Sequence, residues 1–369
     1  MAVEEQFMRR ALELARRGIG WTSPNPCVGA VLVRGHRVLG EGWHRGAGRP
    51  HAEIEALQDA KRRGHPPMGT TLYVTLEPCC TQGRTPPCTD AIVAAGIRRV
   101  VVGATDPNPR HRGRGLRMLR AAGLQVTQGV LAEEARDLNK AFARWITTGR
   151  PWVIVKTAMS ADGKIATASG DSRWITSVAA RTLTHRMRAE VDALLVSAGT
   201  VVRDDPQLTV RHGVHGRQPW RVVVDARGRS PRTARLFRDA WRHRTVVVTT
   251  AKSSPSWRAW LAQQGVTVLV VAADGEHVNL RALLVALGSL EITSVMVEAG
   301  GDLVWALLDA GLVDELCWIY APRILGGRAA PTAVDGVGVK RVRHAIRLRK
   351  VRWEPLPDHQ LMLRAEVTR

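Results

Sequence analysis

His51-Ala52-Glu53 and, downstream, Pro78-Cys79-Cys80-Thr81-Gln82-Gly83-Arg84-Thr85-Pro86-Pro87-Cys88 bring a histidine, three cysteines and the Glu53 carboxylate within 38 residues. Imidazole and thiolate are good zinc ligands, and a centre with three protein ligands keeps a fourth position for water. Zinc draws the pKa of such a water towards neutrality. A carboxylate that is not itself a ligand can then shuttle protons. On this reading His51, Cys79 and Cys88 hold the metal and Glu53 moves protons. Cys79 is preferred to Cys80 because it directly follows Pro78. Cys80 remains a competing first thiolate, or the fourth ligand of a closed structural site. Buried structural cysteines are the plain alternative, since free cysteine is among the most buried residue types.

His-x-Glu followed by Pro-Cys and a later cysteine is the pattern of zinc-dependent base deaminases. The usual second half is Cys-x-x-Cys, whereas eight residues separate Cys79 from Cys88 here.

The 369 residues suit two domains rather than one core. No apolar run approaches the ~18 residues of a membrane span. The first 17 residues mix Glu4, Glu5, Arg9 and Arg10 with apolar positions and read as an amphipathic helix, not a secretory leader. A cytoplasmic location is the expectation. Five cysteines, an odd number in a large chain, do not make a disulfide framework. Cys27 and Cys317 sit in apolar runs and read as core.

The formal charge of +21 raises nucleic-acid binding. Yet 47 of the 54 basic residues are arginines, scattered along the chain. The densest cluster, Lys340 to Arg352, reads as the solvent face of a strand. An editing deaminase with a basic RNA-binding half is therefore the weaker class. The net positive field would still attract a small phosphorylated substrate, and neither nucleic acid nor a membrane is expected as a partner.

Apolar spacing predicts a helix over 4–17. Strands are expected at 28–34, 36–42, 70–75 and 98–103, and helices at 51–63, 88–95 and 116–122. Cys88 would open its helix, whose N-terminus favours thiolate. The alternation implies a layered α/β domain over 1–147 and a second over 148–369. In the second, strands are expected at 152–157, 193–197, 221–225, 245–250, 266–271, 293–298 and 315–321, with helices at 178–190, 256–264, 279–287 and 303–310. Two further strands fill 345–368. Gly300-Gly301 lies between a strand and a helix, where backbone N–H groups can meet phosphate, although such glycines are more often plain turns. Asp204-Asp205-Pro206 is expected in a loop. No Gly-x-Gly-x-x-Gly is present, which argues against a Rossmann domain.

Together these motifs resemble the bifunctional riboflavin-biosynthesis deaminase/reductases of bacteria. The resemblance rests on Pro24-Asn25-Pro26-x-Val28-Gly29, Gly48-x-x-His51-Ala52-Glu53, Glu77-Pro78-Cys79, Gly83 to Cys88 and Asp106-Pro107-Asn108-Pro109. In the second half it rests on Lys156, Asp162-Gly163, Ala168-Ser169-Gly170, Trp174-Ile175-Thr176, Asp204-Asp205-Pro206-x-Leu208-Thr209 and Glu298-Ala299-Gly300. The long Cys79–Cys88 spacing is that of this family. The resemblance implies an α/β protein with an N-terminal cytidine-deaminase-like three-layer domain and a C-terminal dihydrofolate-reductase-like domain. It implies zinc-dependent deamination of a diaminopyrimidinone ribosylamine phosphate, then NADPH reduction of the ribosylamine to the ribitylamine. By the same resemblance Asn25 and His44 hold the base, and Arg84, Asp106 and Asn108 hold the ribose phosphate. Ala158, Trp174, Thr200, Asp204 and the run Gly300, Gly301, Asp302, Leu303, Val304, Trp305 and Ala306 contact the cofactor. Ser172, Arg188, Leu208, Arg211 and Glu298 contact the reductase substrate. Trp174 serves equally well as core. Relatives imply a homo-oligomer, dimer or tetramer. The segment 211–217 is short against them.

Overall fold

The computed structural model describes residues 3–82 and 86–368, and the chain divides into two units, Met1–Gly149 and Arg150–Arg369. In the first, α1 (Val3–Arg16) precedes a hairpin of β1 (Gly29–Arg34) and β2 (Arg37–Trp43). Then come α2 (Ala52–Arg62), β3 (Thr71–Leu76), α3 (Cys88–Ala94), β4 (Arg99–Ala104), α4 (Arg114–Ala121) and β5 (Gln125–Gln128). Two helices, α5 (Ala132–Leu138) and α6 (Lys140–Thr148), end the unit. The sheet order is β2-β1-β3-β4-β5. β1 is antiparallel to both neighbours, and β3, β4 and β5 are parallel.

A period of two along the strands makes the layers. Ala30, Leu32, Leu72, Val74, Val100 and Val102 face a core shared with Ala56 of α2, Ile92 of α3 and Leu119 of α4. Val31, Val33, Tyr73 and Val101 face the opposite core, shared with Phe7, Met8, Ala11 and Leu12 of α1. Strands covered on both faces need apolar residues at successive positions, as here. Gly40 and Gly42 of β2 bring α2 close. A Cβ there would lie 2.3 Å from the Ala56 carbonyl oxygen or 2.4 Å from that of Ala52. This contact sets where α2 begins, and hence where His51 sits.

The second unit contains β6 (Trp152–Ser160), α7 (Val178–Glu190), β7 (Ala193–Ser197), α8 (Ala198–Asp204), β8 (Trp220–Val224) and β9 (Thr245–Thr249). It continues with α9 (Pro255–Gln263), β10 (Thr267–Val270), a small hairpin of β11 (Ala273–Asp274) and β12 (His277–Val278), α10 (Leu280–Ser289) and β13 (Ser294–Val297). α11 (Gly301–Asp309), β14 (Glu315–Ala321), β15 (Arg347–Leu356) and β16 (Gln360–Thr368) complete it. The large sheet runs β10-β9-β8-β7-β13-β6-β14-β16-β15. It is parallel from β10 to β14, and β16 and β15 add antiparallel. Separate apolar cores cover its faces, one with Val155, Leu195, Val297 and Leu307, the other with Leu194, Met296, Met187 and Ile319.

The mixed α/β layers agree with the expected fold class, with local differences. Ala198–Asp204 is a short helix, so Asp204 ends a helix rather than lying in a loop. The Ser197 hydroxyl caps it by accepting from Thr200 N, and Asp205 follows at φ 40°. β5, α5 and α6 were not expected either. The basic cluster is exposed as expected, and β15 forms the sheet edge. Charge along such an edge discourages strand pairing with other chains. Cys27 and Cys317 are buried. Among the described residues no helix is long and apolar enough to cross a membrane.

Candidate functional site

His51 occupies the N-cap of α2, Cys79 follows β3, and Cys88 is the first residue of α3. Their ligand atoms all lie within 4.8 Å of one another. His51 Nδ1 is 3.4 Å from Cys79 Sγ and 3.2 Å from Cys88 Sγ. One imidazole nitrogen and two sulfurs converging this closely suit tetrahedral zinc with one position left open. Cys80 turns elsewhere, its Sγ lying 3.6 Å from His111 Nδ1. Cys79, not Cys80, shares the cluster with His51 and Cys88.

One detail differs from expectation. The N-terminus of α3 serves Cys79, not its own Cys88: the Cys88 backbone N–H donates to Cys79 Sγ at 3.3 Å. Without metal, hydrogen bonding from the Cys88 thiol, against the cost of burial, holds the Cys79 thiol well below its ordinary range. Cys88 is pushed up beside that thiolate. His51 is raised, chiefly by its hydrogen bond with Cys79. Glu53, in the first turn of α2, is buried, and burial pushes its carboxyl up to about 7.

The neighbouring loops carry the other expected contacts. Asn25 Nδ2 donates to His44 Nε2 at 3.0 Å, while His44 Nδ1 donates to the Pro50 carbonyl at 3.0 Å. These partners set the His44 tautomer, and burial lowers its pKa. The His44 and His51 rings meet edge to face, 5.3 Å apart. Asp106 is buried and raised to about 6 by that burial, and its Oδ1 accepts from Asn108 N at 2.8 Å. Glu77 was quoted in a motif but given no role. Its carboxylate accepts from the backbone N–H groups of Asp106, Gly113 and Leu116 at 3.1, 2.8 and 3.3 Å. It thereby ties the Asp106–Asn108 loop to the strand end that carries Cys79. Arg84 lies outside the described residues.

In the second unit β7, β13 and β6 are adjacent and parallel. Ala158 lies in the C-terminal half of β6, Thr200 and Asp204 on α8 after β7, and Glu298 after β13. The carboxyl ends of parallel strands are where open α/β sheets bind ligands. Gly300 caps α11, and Gly301 to Ala306 form its first turns. A Cβ on Gly301 would lie 2.4 Å from Asp335 Oδ2, so packing alone demands that glycine. A Cβ on Gly300 would meet nothing nearer than an Arg203 nitrogen at 3.7 Å. The sequence reading passed over Arg203.

Arg188 grips Glu298 with two parallel bonds, Nε to Oε1 at 2.8 Å and Nη2 to Oε2 at 2.6 Å. Its Nη1 also donates to the Thr209 carbonyl at 3.1 Å. Burial would raise Glu298, but the Arg188 charge overcomes it and holds the carboxyl down at about 2. Lys156, matched as a motif but assigned no part, is lowered by burial and feels both Glu298 and Arg188. Arg211 is exposed and bonds Gln207, its backbone N–H donating to His185 Nδ1 at 3.0 Å. Leu208 is buried and Ser172 exposed. Trp174 is 60% exposed, so it is not core. Arg181 lies over its ring at 4.3 Å, and Arg323 holds its carbonyl at 3.0 Å.

A His-Cys-Cys centre beside a buried carboxylate, on this first sheet, marks the zinc-dependent deaminase class, here continuous with an α/β unit of another kind. Residues 1–104 match the cytidine and deoxycytidylate deaminase zinc-binding region, and residues 151–361 match the RibD C-terminal domain. The chain is 43% identical over 338 residues to riboflavin biosynthesis protein RibD of Escherichia coli, covering 88% of this chain and 89% of that one. It is 41% identical over 343 residues to RibD of Actinobacillus pleuropneumoniae, covering 93% and 90%. Among solved structures, Acinetobacter baumannii RibD aligns with a TM-score of 0.88 at 38% identity, covering 100% of this chain and 99% of that one. A diaminohydroxyphosphoribosylaminopyrimidine deaminase/5-amino-6-(5-phosphoribosylamino)uracil reductase from Thermotoga maritima aligns at 0.85 and 36% identity, covering 99% of each. The chain belongs to the RibD family of bifunctional riboflavin-biosynthesis enzymes, which join a zinc-dependent deaminase to a reductase that uses a nicotinamide cofactor.

Proposed function

We propose that the first unit deaminates 2,5-diamino-6-(5-phosphoribosylamino)pyrimidin-4(3H)-one and the second reduces the product's ribosylamino group to ribitylamino with NADPH. The convergence of His51, Cys79 and Cys88 beside Glu53 carries the first half of this reading. His51 Nδ1, Cys79 Sγ and Cys88 Sγ would hold zinc, which when bound would bring the pKa of a water towards neutrality. Glu53 would take a proton from that water as its oxygen bonds the amine-bearing carbon, and deliver one to the nitrogen as the C–N bond breaks, so that ammonia leaves. Asn25 and His44 hold the pyrimidine, Asn25 by the rest of its amide and His44 by its ring, whose two nitrogens bond Asn25 and the Pro50 carbonyl. Asp106 and Asn108 take the ribose, and Arg84 takes the phosphate, a role suited to its planar fork.

In the second unit the cofactor, when bound, would supply a hydride; the ribosylamine C1′ accepts it as its bond to the ring oxygen opens and that oxygen takes a proton. Gly300 and the first turn of α11, through Ala306, hold the cofactor phosphates, with Ala158, Trp174, Thr200 and Asp204 around the rest of it. Arg211 and Ser172 take the substrate phosphate, and Leu208 lines the pocket. Glu298 bonds the substrate's hydroxyls. Arg188, its fork occupied by Glu298, keeps that carboxylate ionised and oriented. Five free cysteines fit a reducing, cytoplasmic site of action.

The test mixes zinc-loaded protein with the phosphorylated diaminopyrimidinone and follows ammonia release, first without cofactor, then with NADPH or NADH while reading cofactor absorbance. Ammonia without cofactor, then NADPH oxidation at a higher kcat/KM than NADH, is the expected result. Absence of ammonia release defeats the first half. Equal use of NADH defeats the choice of NADPH.

A further inference from the structure

Asn139, between α5 and α6, sends its side chain back to the loop that carries Asn25. Its Oδ1 accepts from Cys27 N at 2.7 Å and its Nδ2 donates to the Cys27 carbonyl at 2.9 Å, in a buried setting. One side-chain amide thus does for Cys27 what a neighbouring strand residue does, engaging both backbone groups. Within the loop Asn25 N donates to the Thr22 carbonyl at 2.9 Å, and the Thr22 hydroxyl meets Cys27 Sγ at 3.2 Å. From there Asn25 reaches His44, and His44 reaches the Pro50 carbonyl, one residue before His51. We infer that Asn139 is a positioning residue for the pyrimidine end of the deaminase site, holding Asn25 and His44 at their working distance from the metal ligands. The inference rests on the reading in which Asn25 and His44 hold the base.

Removing both bonds frees the loop while leaving His51, Cys79, Cys88 and Glu53 in place. The effect should therefore fall on substrate capture more than on turnover. The experiment measures steady-state ammonia release by zinc-loaded, full-length Asn139→Ala, with Leu138→Ala, which removes apolar packing one residue away, as a control for general loosening. Asn139→Ala should raise KM about tenfold, equivalent to ~1.4 kcal/mol, with kcat within about twofold. Zinc content and cofactor-dependent reduction should stay unchanged. Leu138→Ala should lower the melting temperature yet leave KM alone. An unchanged KM for Asn139→Ala, or an equal rise for Leu138→Ala, overturns the inference. If Asn139→Ala does not fold, Asn139→Ser keeps one hydroxyl, which can serve one Cys27 backbone group but not both. It should then raise KM about threefold, consistent with one lost hydrogen bond, and no rise would again overturn the idea. Asn25→Ala separates the two levels. Should it leave KM unaltered, the base-binding reading itself fails, whatever Asn139 does.

Discussion

Glu53 and Glu298 are both largely buried carboxylates beside a strand or helix end, yet they stand at opposite ends of the titration range. Burial raises Glu53 to about 7. Burial also works against ionised Glu298, but the Arg188 fork reverses the balance and holds it at about 2. A group poised near neutrality can take and return protons. A group pinned as an anion can orient neighbours but cannot. The first unit surrounds its acid with sulfur and imidazole that a metal can organise; the second surrounds its acid with a fixed cation. The two chemistries can therefore be broken separately.

The largest separation should come from Glu53→Gln. The amide keeps the shape and loses the proton acceptor. Ammonia release should fall about a thousandfold, while zinc content by elemental analysis and cofactor-dependent reduction remain at wild-type levels. Near wild-type deamination would remove the proton-transfer role. Next in size is the cysteine pair. Cys79→Ser should lose zinc and deamination together, because a hydroxyl replaces the thiolate that bonds His51 and Cys88. Cys80→Ser should keep stoichiometric zinc, because Cys80 bonds His111 instead. The reverse pattern would exchange the two assignments.

How much of this was legible follows from how far apart the interacting residues lie. The metal ligands were readable because each occupies a short local pattern, His-x-Glu at a helix start and Pro-Cys after a strand. The first sheet was readable from the short apolar runs of β1, β3 and β4. α8 was missed because Gly199 and the β-branched Thr200, Val201 and Val202 are weak helix formers. The grip of Arg188 on Glu298 spans 110 residues and that of Asn139 on Cys27 spans 112. No spacing rule connects such positions. Arg188 was expected to contact the reductase substrate, but its fork is occupied by Glu298. Gly301 likewise read as a phosphate-binding glycine, whereas the approach of Asp335 accounts for it independently.

Glu298→Gln tests the charge-paired half of the comparison. It leaves the Arg188 cation largely buried without its anion, so stability should fall by ~3 kcal/mol, read by denaturant titration, along with loss of reduction. Deamination should persist. The pH dependence has a definite sign. The folded protein holds Glu298 at about 2, below the ordinary value of about 4.3. Its stabilisation is therefore complete above about pH 4.3 and fades as pH falls towards 2. Thermal melts between those limits should show wild type losing stability faster than Glu298→Gln. Parallel slopes would mean the pair contributes nothing specific.

The smallest expected effect belongs to Asp204→Asn. Asp204 is exposed at the end of α8, so neither folding nor the Arg188–Glu298 pair depends on it. A neutral amide still offers an acceptor, so a contact to the cofactor should be weakened rather than lost. The expected outcome is a KM for the nicotinamide cofactor a few-fold higher, of the order of one charged hydrogen bond made neutral, with deamination and melting temperature unchanged. A fall in deamination would show that the two sites do not act independently. No change in cofactor KM would remove Asp204 from the cofactor's surroundings and leave the start of α11 to hold it.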